Sequence, residues 1–139
     1  MRYSKQREVI LEVVNHSFNH PTAEMVYDKV KEKIPNISLG TIYRNLNALA
    51  DASLIKRISI PKDVDHFDHR NCDHYHFCCM KCHQLYDLPA SKIEMLIHNC
   101  EKEEQVQITD CEVLLYGICK KYSSWMNYIL YHTLTFFKK

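Results

Sequence analysis

Val9, Ile10, Val13 and Val14 recur at helical spacing after a polar start and predict a first helix. His20-Pro21 breaks that pattern, and Thr22 then stands as an N-cap ahead of a second helix over Ala23–Lys33, with Met25, Val26 and Val30 on one face. Pro35 ends this segment. Ser38 caps a third helix to about Ala50, with Leu39, Ile42, Leu46 and Leu49 inward and Thr41, Tyr43, Arg44 and Asn45 outward. Leu54–Ile60 has strand composition, Pro61-Lys62-Asp63 reads as a turn, and Val64–Phe67 returns. Further on, His74–Cys78 and Leu85–Leu88 read as short strands. Ser91 caps a helix from Lys92 to about Glu104 with a stripe of Ile93, Leu96, Ile97 and Cys100, and Val106–Tyr116 reads as a long strand closed by Gly117.

Three helices and a hairpin are the outline of a winged helix-turn-helix. The pattern therefore predicts an α/β (α+β) chain: a winged-helix domain over 1–62, a small α/β domain over 63–122, and an aromatic tail over 123–139. The boundary is placed near 61–66. In the tail, Trp125, Ile129, His132 and Phe136 fall on one helical stripe.

Composition narrows the setting. The chain has 139 residues, 46% of them apolar and 25% charged, with two glycines and four prolines, so long disordered linkers are not expected. No apolar run reaches membrane-spanning length, and the start lacks a secretory core, so a cytoplasmic home without membrane contact is expected. In that setting the seven cysteines are metal ligands or buried thiols rather than a disulfide framework. For Cys72, Cys78, Cys100 and Cys111 the expectation is a buried small apolar side chain. Residues 1–60 carry nine Lys and Arg against six Asp and Glu, and residues 61–139 carry nine against eleven. A basic first half suits a nucleic-acid contact, although a solvated surface explains so small an imbalance equally well.

The chemistry is densest at 65–82. His74 and His76 are two apart, so on a strand both imidazoles leave one face and can converge on one ion. Cys79 and Cys82 form a CxxC pair, half of a tetrahedral zinc site. Thiolate favours zinc, whereas imidazole with carboxylate suits iron or manganese. On the third helix Ser38, Thr41, Tyr43 and Arg44 are candidates for reading double-stranded DNA, Arg44 through a fork to guanine or phosphate and Tyr43 through its ring against a thymine methyl. Taken singly, His20 is an ordinary helix-entry residue and Asp87 an ordinary loop acid. Asp68 competes with Asp65, His66 and His69.

His20-Pro21-Thr22-Ala23-Glu24, Pro35-Asn36-Ile37-Ser38-Leu39-Gly40-Thr41-Ile42-Tyr43-Arg44-Asn45-Leu46, and His74-Tyr75-His76 with Cys79-x-x-Cys82 resemble the ferric-uptake-regulator family in order and spacing. The likeness runs from about Tyr3 to Cys119. It implies a homodimeric, metal-dependent repressor whose second domain dimerises. It also implies a regulatory site of Fe(II) or Mn(II) held by His20, Asp68, His74, His76 and Asp87. In the family's peroxide-sensing branch the last ligand is typically Asp, where uptake regulators usually carry Glu, so Asp87 makes the chain most similar to a peroxide-responsive repressor. There, peroxide reacts at iron and oxidises a ligand histidine; by position these are His20 and His74. One ion bound by residues on both sides of the hinge would fix the domain angle and hence the spacing of two recognition helices.

The chain also departs from the family. Its structural Zn(II) is usually held by two CxxC pairs. Here Cys119 has Tyr122 where the fourth thiolate is expected. Cys78, His83, Cys111 or water remain as fourth ligands beside Cys79, Cys82 and Cys119. Asp110, Cys111 and Glu112 lack the imidazoles of a third metal site. An iron- or zinc-responsive uptake repressor is the alternative within the family. A non-haem iron enzyme is the alternative of another class, but it would leave the helix-turn-helix without a use, and no substrate signature other than peroxide as a signal is seen.

Overall fold

The first helix forms where the apolar positions place it. In the computed structural model, which describes residues 4–69 and 74–123, α1 spans Lys5–Asn15 and buries Ile10, Val13 and Val14. α2 (Ala23–Lys33) starts at Thr22, whose hydroxyl accepts from the Met25 N–H at 3.3 Å. α3 (Leu39–Asp51) starts at Ser38, which accepts from the Thr41 N–H at 3.2 Å. Each cap satisfies one of the amide donors that a helix start leaves without a partner. Thr22→Ala is expected to lower the stability of this unit by about 1 kcal/mol. Thermal unfolding should register it as a midpoint lower by about 4–8 °C, the shift for a unit of this size.

These helices close on one apolar core. Ile10, Val14, Val26, Val30, Ile42, Leu46 and Leu49 are fully buried, with Ile55 and Phe67 supplied by the hairpin. Burying an aliphatic side chain of this size is worth about 1.5–3 kcal/mol, so the core outweighs the caps. The hairpin pairs β1 (Ile55–Ile58) with β2 (His66–His69) antiparallel, Ile55 opposite His69 and Ile58 opposite His66. The return strand therefore starts two residues later than the Val64–Phe67 expected. The Asp63 N–H donates to the Ile60 carbonyl, the Asp63 carboxylate accepts from the Val64 N–H at 2.8 Å, and Lys62 turns through φ 64°. This local bonding lengthens the turn, and Val64 stays exposed. The hairpin ends the first compact unit, Met1–Cys72, so the division from the second, Asp73–Lys139, lies beyond the 61–66 read from sequence.

The second unit is built on β3 (His74–Cys79). β4 (Leu85–Pro89) pairs with it antiparallel, and β5 (Leu114–Gly117) pairs on its other side in parallel, giving the order β4-β3-β5. The long strand expected over Val106–Tyr116 is confined to its end, because a strand needs a partner and β5 meets β3 only from His76↔Leu114 to Cys79↔Gly117. A Cβ at Gly117 would lie 2.9 Å from the Phe77 ring, so a larger residue there would push that ring aside. α4 (Ser91–Glu104) begins at Ser91 itself, with Ala90 in the cap position and no side-chain cap. Its expected stripe is only half covered: Ile93 and Ile97 are partly buried, whereas Leu96 is 60% and Met95 74% exposed. Cys78 is buried as expected, but Cys100 is exposed and Cys111 half-buried, because so small a unit has too little core to cover them. Residues 120–123 begin a further helical segment. The tail stripe of Trp125, Ile129, His132 and Phe136, and Cys72, lie outside the described residues. Among those described, no helix is long and apolar enough to cross a membrane.

Candidate metal centre and nucleic-acid interface

His20 sits between α1 and α2 with φ 46°, in the left-handed region that histidine enters more readily than most residues. The hairpin holds it there. The His66 Nδ1–H donates to the His20 carbonyl at 2.6 Å, and the Phe67 N–H donates to the Pro21 carbonyl at 2.9 Å. Strand β2 thereby sets Asp68 beside the imidazole, with Asp68 Oδ2 3.7 Å from His20 Nε2 and both side chains buried. Asp68 Oδ1 lies 3.2 Å from His69 Nδ1. Of the acids and histidines competing at this point in the sequence, Asp68 is therefore the one that faces His20, with His66 and His69 orienting the pair.

In the second unit, strand alternation brings His74 and His76 to one face, and the register places Asp87 opposite His76. Their Nε2 atoms are 3.0 Å apart. Two lone pairs repel at that distance, so a proton or a cation belongs between them. Asp87 Oδ1 stands 3.3 Å from His74 Nε2 and 4.0 Å from His76 Nε2. His76 is 3% exposed, whereas the Asp87 side chain is open to solvent at 56%. This nitrogen and oxygen set suits a borderline divalent cation.

Cys79, Cys82 and Cys119 form a separate, soft cluster, their sulfurs all within 4.8 Å of one another. Cys79 ends β3, Cys82 lies in the turn that follows, and Cys119 lies two residues past β5. Burial pushes the Cys79 thiol up, but the N–H groups of Cys119, Cys82 and Lys81 outweigh it and bring it down to about 6. Burial and the neighbouring thiols push Cys82 up. Cys79 is thus the sulfur best prepared to meet a cation as thiolate. Tyr122 lies one helical turn past Cys119, its N–H donating to the Cys119 carbonyl at 2.9 Å and its ring under the Lys121 ammonium. The residue that sequence reasoning missed is Tyr86, whose hydroxyl lies 4.0 Å from Cys82 Sγ. The alternation of Leu85-Tyr86-Asp87-Leu88 carries a signal for its face, but nothing in the spacing ties it to a cysteine.

At α3 three of the four candidate DNA contacts, Ser38, Thr41 and Arg44, are joined by hydrogen bonds, and the fourth, Tyr43, is held from α2. The Ser38 and Thr41 hydroxyls are 2.9 Å apart, and Arg44 Nη2 donates to Thr41 Oγ1 at 3.1 Å. The Tyr43 hydroxyl donates to Glu24 Oε1 at 2.7 Å, a bond that holds the Glu24 carboxyl below its usual range and raises the phenol. Asn45, expected outward, is buried: its amide donates to the Thr41 carbonyl and it accepts from Arg7 Nε at 3.1 Å. Arg57 on β1 donates to Asn47 and faces Asp65, which ties the hairpin to α3. Ser38, Thr41, Tyr43 and Arg44 thus form one polar face on a helix whose other face is core.

Residues 1–116 match the model of the ferric uptake regulator family. The peroxide-responsive repressor of Staphylococcus epidermidis is 30% identical over 121 residues, which covers 87% of this chain and 81% of that protein. The fold is similar to the Campylobacter jejuni peroxide stress regulator, with TM-score 0.69 and 29% identity over 84% of this chain and 87% of that one. It is also similar to the Helicobacter pylori ferric uptake regulator, with TM-score 0.79 and 24% identity over 87% and 81%. The chain belongs to the ferric uptake regulator family of metal-responsive transcriptional regulators.

Proposed function

We propose that this chain is a homodimeric repressor that binds operator DNA through Ser38, Thr41, Tyr43 and Arg44. Its regulatory Fe(II) or Mn(II) is held by His20, Asp68, His74, His76 and Asp87, and it responds to hydrogen peroxide through oxidation of His20 or His74. The observation that carries this reading is the pair of imidazole Nε2 atoms 3.0 Å apart beside the Asp87 carboxylate. The 30% identity to a peroxide-responsive repressor and the aspartate at position 87 favour it over an uptake repressor. The exposed apolar residues of α4 in the second unit, Met95 and Leu96, suit a dimer face.

In this reading the ion binds the DNA-competent state of the protein more tightly than the other. Binding to only the DNA-competent arrangement shifts the population by the ion's differential affinity. Iron, when bound, supplies the electron that activates peroxide. An imidazole that has gained oxygen is a poorer ligand, and the arrangement it supported is lost. His74, 10% exposed at its side chain, can be reached by a molecule as small as peroxide. Operator binding is expected to require Fe(II) or Mn(II), to survive peroxide in the manganese form, and to be lost in the iron form with one oxygen added to His20 or His74. Binding assays at fixed salt, with peptide mass spectrometry, test it. Iron-form binding that survives peroxide with unmodified histidines makes this an uptake-type regulator.

A further inference from the structure

Zinc bound tetrahedrally to thiolates at about 2.3 Å places neighbouring sulfurs roughly 3.8 Å apart. Cys82 Sγ and Cys119 Sγ are 3.9 Å apart, and Cys79 Sγ lies within 4.8 Å of both. Three vertices of a zinc site are therefore built. The fourth has no obvious thiol. Cys78 is adjacent to Cys79 on a strand, so its side chain leaves the opposite face. Among the described residues no further His, Cys, Asp or Glu joins the three sulfurs, which removes His83 and Cys111 from that role.

An oxygen does stand beside them. Tyr86 is on β4, opposite Phe77, and β4 follows directly on the turn that carries Cys82. Its hydroxyl is 4.0 Å from Cys82 Sγ. Its other bond is a long one, 3.4 Å to Gln84 Oε1, and is readily given up. With a zinc–oxygen distance of about 2.0 Å, a ligand oxygen lies roughly 3.5 Å from each thiolate sulfur, and the separation from Cys82 exceeds that by about half an ångström. We propose that Tyr86 is the fourth ligand of this site, so that zinc is held by three sulfurs and one phenol oxygen. The fourth thiolate that the family usually supplies at position 122 is thereby replaced from a different strand. On binding, each thiol and the phenol give up their protons to solvent, so the ligand set carries the same charge as four thiolates. The bond to Tyr86 joins β4 to a site that otherwise links the end of β3, the turn after it and the segment following β5. This assignment is independent of the histidine and aspartate site, and each can fail alone.

The test loads reduced, metal-free full-length protein with Zn(II). It follows tyrosinate absorption in the near ultraviolet and measures affinity by competition with a chromophoric chelator. One tyrosinate per bound zinc is expected in the wild type and in Tyr122→Phe. None is expected in Tyr86→Phe, which should also bind zinc about tenfold more weakly or worse, the low end of what site-supporting residues contribute. Circular dichroism of metal-free Tyr86→Phe checks that the fold is kept. Tyrosinate lost in Tyr122→Phe instead, or absent in the wild type with Tyr86→Phe binding equally well, overturns the assignment in favour of Tyr122 or water.

Discussion

His20→Ala is expected to abolish metal-dependent operator binding while leaving the first unit folded. The backbone at His20 is left-handed, a conformation costing an L-residue about 1–2 kcal/mol. Histidine already bears most of that cost, so alanine adds little. The bond from His66 to the carbonyl of residue 20, and that from Phe67 to Pro21, involve the backbone and survive the substitution. What is lost is the imidazole beside Asp68. Even partners that only support a ligand are worth about 10–100-fold in metal affinity, so loss of a ligand should cost about a hundredfold or more. Because metal shifts the DNA-competent population only through differential affinity, operator binding at fixed Mn(II) should fall with it. A manganese titration followed by DNA-binding anisotropy at constant salt measures both. Metal affinity and operator binding both unchanged would remove His20 from the site.

How far such a site is legible depends on which interactions make it. α1, α2 and α3 were readable because their apolar positions are periodic and two of them begin at residues whose side chains cap the helix, Thr22 and Ser38. His74 and His76 were readable because strand alternation alone puts them together. Asn45 was misread because a polar residue on a helix face gives no sign of a partner 38 positions away, and Arg7 supplies one. The start of β2 was misread because Asp63 bonds within the turn, an interaction that hydrophobic patterning does not encode.

The second unit was harder for a different reason. The composition of 106–113 favours a strand, but its extent is decided by how much of β3 remains to pair with, which is a tertiary fact. The stripe on α4 was correctly periodic, yet periodicity says which residues share a face and not what covers it; Leu96 is 60% exposed. Tyr86 went unnoticed because its relation to Cys82 arises from a turn reversing direction between them.

Phe67→Ala should unfold more of the protein than any ligand substitution. Phe67 is 1% exposed and is the largest fully buried side chain among those described, set on β2 between His66 and Asp68. Truncating a buried phenylalanine costs about 3–5 kcal/mol, because the cavity closes only in part. A domain is stable by only about 5–15 kcal/mol, so this removes a large fraction of the total. For a unit of this size the midpoint should drop by about 15–30 °C. The loss reaches the site as well, since the strand that carries Phe67 also holds the His20 carbonyl and positions Asp68. Mn(II) at about a hundred times its dissociation constant contributes roughly 2.7 kcal/mol to whatever folded state binds it. Manganese should therefore raise the midpoint of the variant without restoring it, and Val64→Ala, on the exposed turn, should stay within about 0.5 kcal/mol of wild type. If Phe67→Ala melts with Val64→Ala, the hairpin is not part of the cooperative core, and the positioning of Asp68 by that core fails with it.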